Sequence, residues 1–524
     1  MILRRKICIS IGKYSSPRSA RSCWRFASTD VTEWKSRVGL EIHAQIATKT
    51  KLFSGAPTDF AGPVNSSVAL FDCATPGTLP VLNRKCVESA VLTALALSCE
   101  LNEASMFERK HYFYADLPAG FQITQQKKPL AVNGEIIFSV FTPGVHKIPY
   151  TVSSKVKQIQ LEQDSGKSLH NECDARSLID LNRAGIPLME LVFEPDLKDG
   201  EEAAALVKEL ILILELLGTS TCKMEEGALR VDANVSVSKD DTFGVRTEIK
   251  NISSVRAVAS AINYEIKRHS SILNEGGKIF NETLTWNASK KKTIPLRKKE
   301  EQQDYRFMPE TNLPPLYLHV DENTENTRNL VDVSCLKRQI PTLPEGIRHK
   351  LREVYGIAPH MVMALMSDLK LIELFYGVME DNEDRNSQLT ANFLVNGLLR
   401  ILHAEKMNLD FGINNRTFIG ETIDLLESRS INFETGIKVI GQLVTGAEKS
   451  PRQIVEENDW FVMTDERKLE ELCLKTIEEN PKVVRRYKNG KTELFRSLLI
   501  KVFKASNHTA ELRIVSQIMK RLLD

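Results

Sequence analysis

Residues 224–236 read Met224-Glu225-Glu226-Gly227-Ala228-Leu229-Arg230-Val231-Asp232-Ala233-Asn234-Val235-Ser236. From Leu229 onward apolar and polar residues alternate, the period of a strand with one dry face and one wet face. Side chains alternate across a strand, so Arg230, Asp232, Asn234 and Ser236 share a face. For one such strand alone, the solvated side of an antiparallel sheet is the commoner case. A second stretch repeats the pattern. Gly244-Val245-Arg246-Thr247-Glu248-Ile249-Lys250-Asn251 puts Arg246, Glu248 and Lys250 on one face, and Lys239-Asp240-Asp241-Thr242 between the two fits a hairpin connection. Two paired strands would set Arg, Asp and Asn against Arg, Glu and Lys. Such a face suits magnesium and phosphate: carboxylates and amides hold a hard cation through oxygen, and Arg and Lys meet phosphate oxygens.

Three further stretches carry carboxylates in strand-like settings. Val38 to Ile46 alternates, so Glu41, His43 and Gln45 share a face. For His43 a structural role and a functional one are equally good readings. Gln158 to Asp164 alternates as well, bringing Gln158, Gln160, Glu162 and Asp164 together. Glu190 lies in the apolar strand Leu188 to Phe193, where a carboxylate must be paired or functional because an unpaired buried charge is very costly. Phe107 to Gln126 mixes Tyr112, Phe113, Tyr114, Pro118 and Gly120, which reads as an ordered loop able to wall a pocket, with core packing the plainer alternative. Gly166-Lys167-Ser168 looks like the end of a phosphate-binding loop, but the glycine required five residues earlier is Leu161.

The 524 residues are enough for two or three domains, and 42% hydrophobic with 26% charged residues is ordinary for a globular chain. The net charge of +2 hides an asymmetry: from Pro481 to Asp524 eleven Lys or Arg face three acids. That excess is either a solvated helical face or a footprint for a phosphate backbone. Nine scattered cysteines without a Cys-x-x-Cys pair argue for reduced thiols and against a disulfide framework or a cysteine zinc site. No apolar run reaches the ~18 residues of a membrane span. The first 29 residues hold seven Lys or Arg, six serines and no acid, the composition of a mitochondrial transit peptide, so roughly 1–30 is set apart from the fold.

Asp199 to Leu217 is the clearest helix, capped by Asp199 and stopped by Gly218, and Ser253 to Asn274 is a second. After about residue 320 strand signals fade. Helices are predicted over 344–355, 360–379, 390–405, 416–428, 434–445, 466–478, 491–505 and 509–523. Boundaries fall near 318 and 387. The fold class is α+β: a mixed α/β region with a largely antiparallel sheet, then all-α segments.

Six runs in order carry a resemblance: VGLEIHAQIATKTKLFS, YFYADLPAGFQITQ, DLNRAGIPLMELV, MEEGALRVDANVSV, RTEIKNISS and DYRFMPETNLPPL. Together they resemble the signature blocks of the GatB family, the B subunits of the glutamyl-tRNA(Gln)/aspartyl-tRNA(Asn) amidotransferases, strongly over about 36–318 and more weakly to the C-terminus. The resemblance implies a catalytic cradle domain over 31–318, a helical linker over 319–387 and a helical, tRNA-binding tail over 388–524. It implies a heterotrimer with an A subunit that releases ammonia from glutamine and a C subunit that acts as a strap. It also implies ATP and Mg2+ as cofactors and misacylated Glu-tRNA(Gln) as substrate, in the mitochondrial matrix.

On this reading Glu41, His43, Glu162, Glu190 and Glu225 are the candidate magnesium ligands. Because magnesium prefers oxygen, His43 alternatively hydrogen-bonds the substrate or a bound water. Glu41, His43, Glu162, Glu225, Arg230, Asp232 and Glu248 are the candidate catalytic residues, and Asn234, Arg246, Lys250 and Asn251 the candidate nucleotide contacts. The chain departs from the family at Gln160-Leu161-Glu162-Gln163-Asp164, where members often carry His-Met-Glu-Glu-Asp; Gln160 and Gln163 are therefore left out as ligands. That departure motivates the alternative of a non-catalytic tRNA-holding scaffold in the same complex. A stand-alone metal hydrolase rests only on the carboxylates, and no zinc-type His-x-x-x-His spacing supports it.

Overall fold

The computed structural model describes residues 34–171, 176–240, 242–296 and 305–523. The expected transit segment and Asp241 of the expected hairpin connection lie outside them. The N-terminal half is built on a nine-stranded sheet: β1 (Lys35–Gln45), β2 (Glu100–Leu101), β3 (Ala131–Val140), β4 (Tyr150–Gln163), β5 (Pro187–Phe193), β6 (Leu229–Ser238), β7 (Thr247–Ile252), β8 (Glu282–Asn287) and β9 (Lys292–Pro295). Their order across the sheet is 2-3-4-5-1-6-7-8-9. Every neighbouring pair is antiparallel except β7–β8. The first strand in the chain thus sits in the middle of the sheet, between β5 and β6.

Alternation in β1 explains that position. Val38, Leu40, Ile42 and Ala44 are fully buried on one face. Burying a side chain the size of Leu or Ile contributes about 1.5–3 kcal/mol, which favours a central place for this strand. The matching dry face of β6 is Leu229, Val231, Ala233, Val235 and Val237. The dry side packs in one core with helices α1 (Arg84–Ala96), α2 (Gly200–Leu216) and α3 (Val255–Asn274). Each helix begins on a side-chain cap: Asn83 accepts from the Lys85 N–H, Asp199 from those of Glu201 and Glu202, and Ser254 from that of Ala257.

The Phe107–Gln126 stretch, expected as a loop, is a hairpin. Strand Glu108–His111 pairs with Phe121–Thr124, and Met308–Pro309 adds a third strand. Arg109 forms a bidentate pair with buried Glu310, donating over 2.7 and 2.9 Å, and so ties the 305–310 run to the hairpin.

Helices dominate from Val333 onward. The predicted 360–379 helix is two, Pro359–Leu365 and Leu369–Asp381, because Asp368 accepts from the Lys370 N–H and starts the second. Hydrophobic cores divide later than the compositional boundaries. The first takes in Leu318, Val331 and Leu336. The second joins Leu351 and Phe375 to Phe393 and Ile440, running across residue 387. A small third core, with Leu469, Leu498, Val502, Val515 and Met519, belongs to the C-terminal helices. Helix α2 bridges the first two: its Leu212 lies in the second core, and its buried Glu209 pairs with buried Arg348.

Candidate functional site

Strand register sets the wet face of the sheet. Across β1–β6, Glu41 stands opposite Asp232 and His43 opposite Arg230. Across β1–β5, His43 stands opposite Glu190. Across β5–β4, Glu190 stands opposite Gln160, and Leu188 opposite Glu162. Across β6–β7, Asn234 stands opposite Glu248. Carboxylates from five strands therefore lie on one surface.

On the β6–β7 side nearly every charge is matched. Lys250 reaches Glu248 at 2.8 Å and Asp232 at 3.3 Å. Burial works against its ammonium, but Asp232 and Glu248 outweigh that and hold its pKa above the usual range. The second oxygen of Asp232 accepts from the Asn251 backbone N–H at 2.7 Å. This contact depends on a bulge: the β6–β7 register slips between Val231 and Ala233, and Asn251 takes a left-handed φ of 55°. Arg230 donates to Asp164 at 2.9 Å, and Arg183 lies 3.3 Å from the same oxygen. Asn234 donates to Glu41 at 3.0 Å.

The β1–β4–β5 side is different. His43, Glu162 and Glu190 each offer a ligand atom, and those atoms lie within 4.8 Å of one another. Glu162 and Glu190 are buried. Glu190 accepts a hydrogen bond from Gln160, and its other oxygen lies 3.8 Å from His43 Nε2. One oxygen of Glu162 accepts from Gln122. The other is buried with no hydrogen bond among the described residues, Lys110 Nζ being 3.9 Å away. Burial pushes the Glu162 pKa up, only partly countered by Lys110, and the neighbouring Glu190 pushes it further. Reciprocally, Glu162 raises the pKa of Lys110 despite its burial. Lys110 also sits 5.3 Å over the Tyr305 ring. Tyr112 donates to Gln122 at 2.9 Å, so the hairpin positions the amide that holds Glu162.

This donor set fits a hard divalent cation. Two buried carboxylates converge, and one oxygen has no hydrogen bond among the described residues and faces the Lys110 ammonium at 3.9 Å. His43 is the weak member of the set for magnesium.

The structure brings together Glu162, Glu190 and His43, as expected, and joins Asp232, Lys250 and Glu248 in one network. Glu41 lies beside them on β1, held by Asn234, and is not part of the three-residue cluster. Glu225 lies apart from the three-residue cluster. It is exposed on the short turn Met224–Glu226 ahead of β6, outside the cluster, because the alternation that turns side chains onto the wet face starts only at Leu229. Arg246 is exposed and precedes β7, which begins at Thr247. Asn251 contributes its backbone rather than its exposed side chain. Sequence reasoning missed Lys110 and Gln122. Glu108-Arg109-Lys110-His111 is all polar and shows no strand period, so nothing local marked it as paired. Gln160, set aside as a ligand, is the hydrogen-bond partner of Glu190.

Residues 36–324 match the family described as the GatB/GatE catalytic domain, and 373–523 match the GatB domain. The B subunit of the mitochondrial glutamyl-tRNA(Gln) amidotransferase of Aedes aegypti is 50% identical over 499 residues, 95% of this chain and 94% of its own. The chain belongs to the GatB family. Its human mitochondrial relative, the B subunit of the same enzyme, is 44% identical over 94% of this chain and 89% of its own. The B subunit of the aspartyl/glutamyl-tRNA(Asn/Gln) amidotransferase of Rickettsia typhi is 37% identical over 94% and 98%. The GatB chain described here is thus the B subunit of a multi-subunit amidotransferase, in its mitochondrial form. Among the described residues no helix is long and apolar enough to cross a membrane.

Proposed function

We propose that the wet face of the sheet activates the side-chain carboxylate of misacylated Glu-tRNA(Gln). A carboxylate oxygen takes the terminal phosphoryl group of ATP, releasing ADP. Ammonia then adds to the acyl carbon, phosphate leaves with the former carboxylate oxygen, and the nitrogen loses a proton to give Gln-tRNA(Gln). Phosphoryl transfer asks the protein chiefly for positioning and charge neutralisation. One observation carries this reading: buried Glu162 keeps an oxygen without a hydrogen bond beside His43 and Glu190.

Glu162 and Glu190 would hold Mg2+, which would neutralise the phosphates of ATP. His43 orients a water or the substrate. Lys110, drawn toward Glu162, is placed to neutralise charge on an incoming anion. Arg230 and Lys250 are anchored by Asp164 and by Asp232 with Glu248, and present fixed positive charge to the phosphates. Glu41, held by Asn234, lies next in line on β1. The hairpin with Tyr112 is the wall that excludes water from a hydrolysable acyl phosphate. The A subunit supplies ammonia, the C subunit straps the assembly together, and the basic C-terminal helices hold tRNA. The cradle, linker and tail assignments of 31–318, 319–387 and 388–524 belong to this proposal, as does a transit role for 1–30.

The reconstituted heterotrimer tests it with labelled Glu-tRNA(Gln), ATP, magnesium and glutamine. Without an ammonia donor, Glu-tRNA-dependent ATP cleavage should vanish in Glu162→Gln and Glu41→Gln while tRNA binding and glutaminase activity persist. Unchanged cleavage in both variants would move the ATP site to a different chain of the complex and leave this one as the tRNA holder.

A further inference from the structure

A second feature lies on the opposite side of the sheet's β7–β9 edge. A groove of about 640 Å³ runs between α3 and the β8–β9 turn. It is lined by Arg256, Lys267 and Lys291, by Tyr264 and Trp286, and by small polar residues including Ser254 and Ser260. Among the described residues no carboxylate lines it. The three cations are exposed, and among the described residues none of them makes an ion pair. Here they differ from Lys250 and Arg230, whose charges are anchored. Tyr264 and Trp286 are half-buried and meet edge to face at 6.0 Å, which fixes both rings in the groove floor.

Unpaired cations beside fixed aromatic rings make the chemistry that takes single-stranded nucleic acid: charge tracks the backbone and rings stack bases. The alternative of a solvated helix face accounts for exposed Arg256 and Lys267. It does not account for two large aromatic rings left half-open between them, where burial would be favoured.

The groove and the candidate site meet in the chain at the end of β7. Ser254, which lines the groove, caps α3 three residues after Asn251, whose backbone holds Asp232. On the site face of β8, Thr283 reaches Glu248 at 3.5 Å. A strand of RNA leaving the groove at the start of α3 would pass over the end of β7 onto the wet face.

We infer that this groove is an RNA contact, binding an unpaired stretch of the tRNA near the aminoacylated end through phosphates on Arg256, Lys267 and Lys291 and a base stacked on Trp286. The inference rests on the proposed function, in which tRNA is the substrate.

The test is binding of a deacylated tRNA(Gln) transcript to the reconstituted heterotrimer across a salt series. The triple variant Arg256→Ala, Lys267→Ala, Lys291→Ala should bind roughly tenfold or more weaker. The slope of log affinity against log salt should fall by about two to three, near one for each phosphate no longer neutralised. A charge-conserving variant, Arg256→Lys with Lys267→Arg and Lys291→Arg, should restore both. Trp286 fluorescence, isolated by comparison with Trp286→Phe, should be quenched on tRNA addition in the wild type, and this readout needs no charge variant to fold. Equal affinity and slope in wild type and triple variant, with no Trp286 quenching, overturns the groove and leaves the proposed function standing. No tRNA binding by the wild type overturns the proposed function and the groove with it. Quenching by phosphatidylserine vesicles or an acidic peptide, but not by tRNA, also overturns the groove as an RNA contact.

Discussion

The two sides of the wet face use the same residue types to opposite ends. Around β6–β7, Asp232, Glu248 and Asp164 each meet a cation within 3.3 Å, and Asp232 adds a backbone N–H. Around β1–β4–β5, two buried carboxylates converge with a histidine, the nearest ammonium stands at 3.9 Å, and one oxygen has no hydrogen bond among the described residues. A carboxylate satisfied by its own chain is bound up in the fold. One left short of partners holds free energy that a ligand can release, because an unmet buried charge is what a cation or phosphate-bound metal would satisfy. The contrast separates a positioning network from a binding cluster on one sheet.

The largest expected break in that contrast is Glu162→Gln. Amide formation should fall by at least about 100-fold, the order seen when one electrostatic contact to a reacting group is removed. The unfolding temperature should hold or rise, since a poorly compensated buried charge is gone. A large loss of stability instead would mean Glu162 is structural.

Cation linkage comes next. Magnesium at about 100 times its dissociation constant should stabilise the wild type by about 2.7 kcal/mol. Glu162→Gln and Glu190→Gln should lose most of this shift in differential scanning calorimetry, while Lys250→Met should keep it. Equal shifts in all four proteins would place the cation elsewhere.

Lys250→Met attacks the satisfied side. It removes the cation shared by Asp232 and Glu248 and should cost about 1–3 kcal/mol in chemical denaturation, the usual penalty for taking the charged partner from a buried carboxylate. A neutral outcome would show that this network does not stiffen the sheet.

The pH dependence should be smaller. Burial raises the Glu162 pKa above its ordinary 4.5, so the folded protein holds that proton more tightly than the unfolded chain. Its contribution is fully present below pH 4.5 and is lost as pH rises through the folded pKa. In the metal-free protein stability should therefore decline across that window, and Glu162→Gln should remove the decline in urea titrations.

The smallest effect is expected at Glu225→Gln. Exposed on its turn and outside the cluster, it should leave the magnesium-induced stabilisation at the wild-type value. A vanished shift would extend the site to the Met224–Glu226 turn.

Much of this architecture is legible in the chain. Alternation at Leu229–Ser236 and Val38–Ile46 marked both central strands and the faces carrying Glu41, His43, Arg230, Asp232 and Asn234. Asp199 marked the start of α2. Glu190 in an apolar strand announced a paired or functional carboxylate, and the structure gives it Gln160 and His43. Lys110 and Gln122 were not legible, since their strands pair through a hairpin and a distant third strand at Met308–Pro309. The alternating pattern runs one residue ahead of β7, so Arg246 stands just before the strand rather than in it.

Local periodicity thus decided which side chains share a face, since that depends on backbone geometry within a few residues. Composition decided the class of chain, and motif order its family. Which carboxylates meet was decided only by tertiary structure. Placing β1 between β5 and β6 brings His43 beside Glu190, and the β5–β4 register then adds Glu162. Whether a carboxylate is satisfied or left open depends on neighbours far away in the chain. No local pattern carries that information, because desolvation and ion pairing act through space.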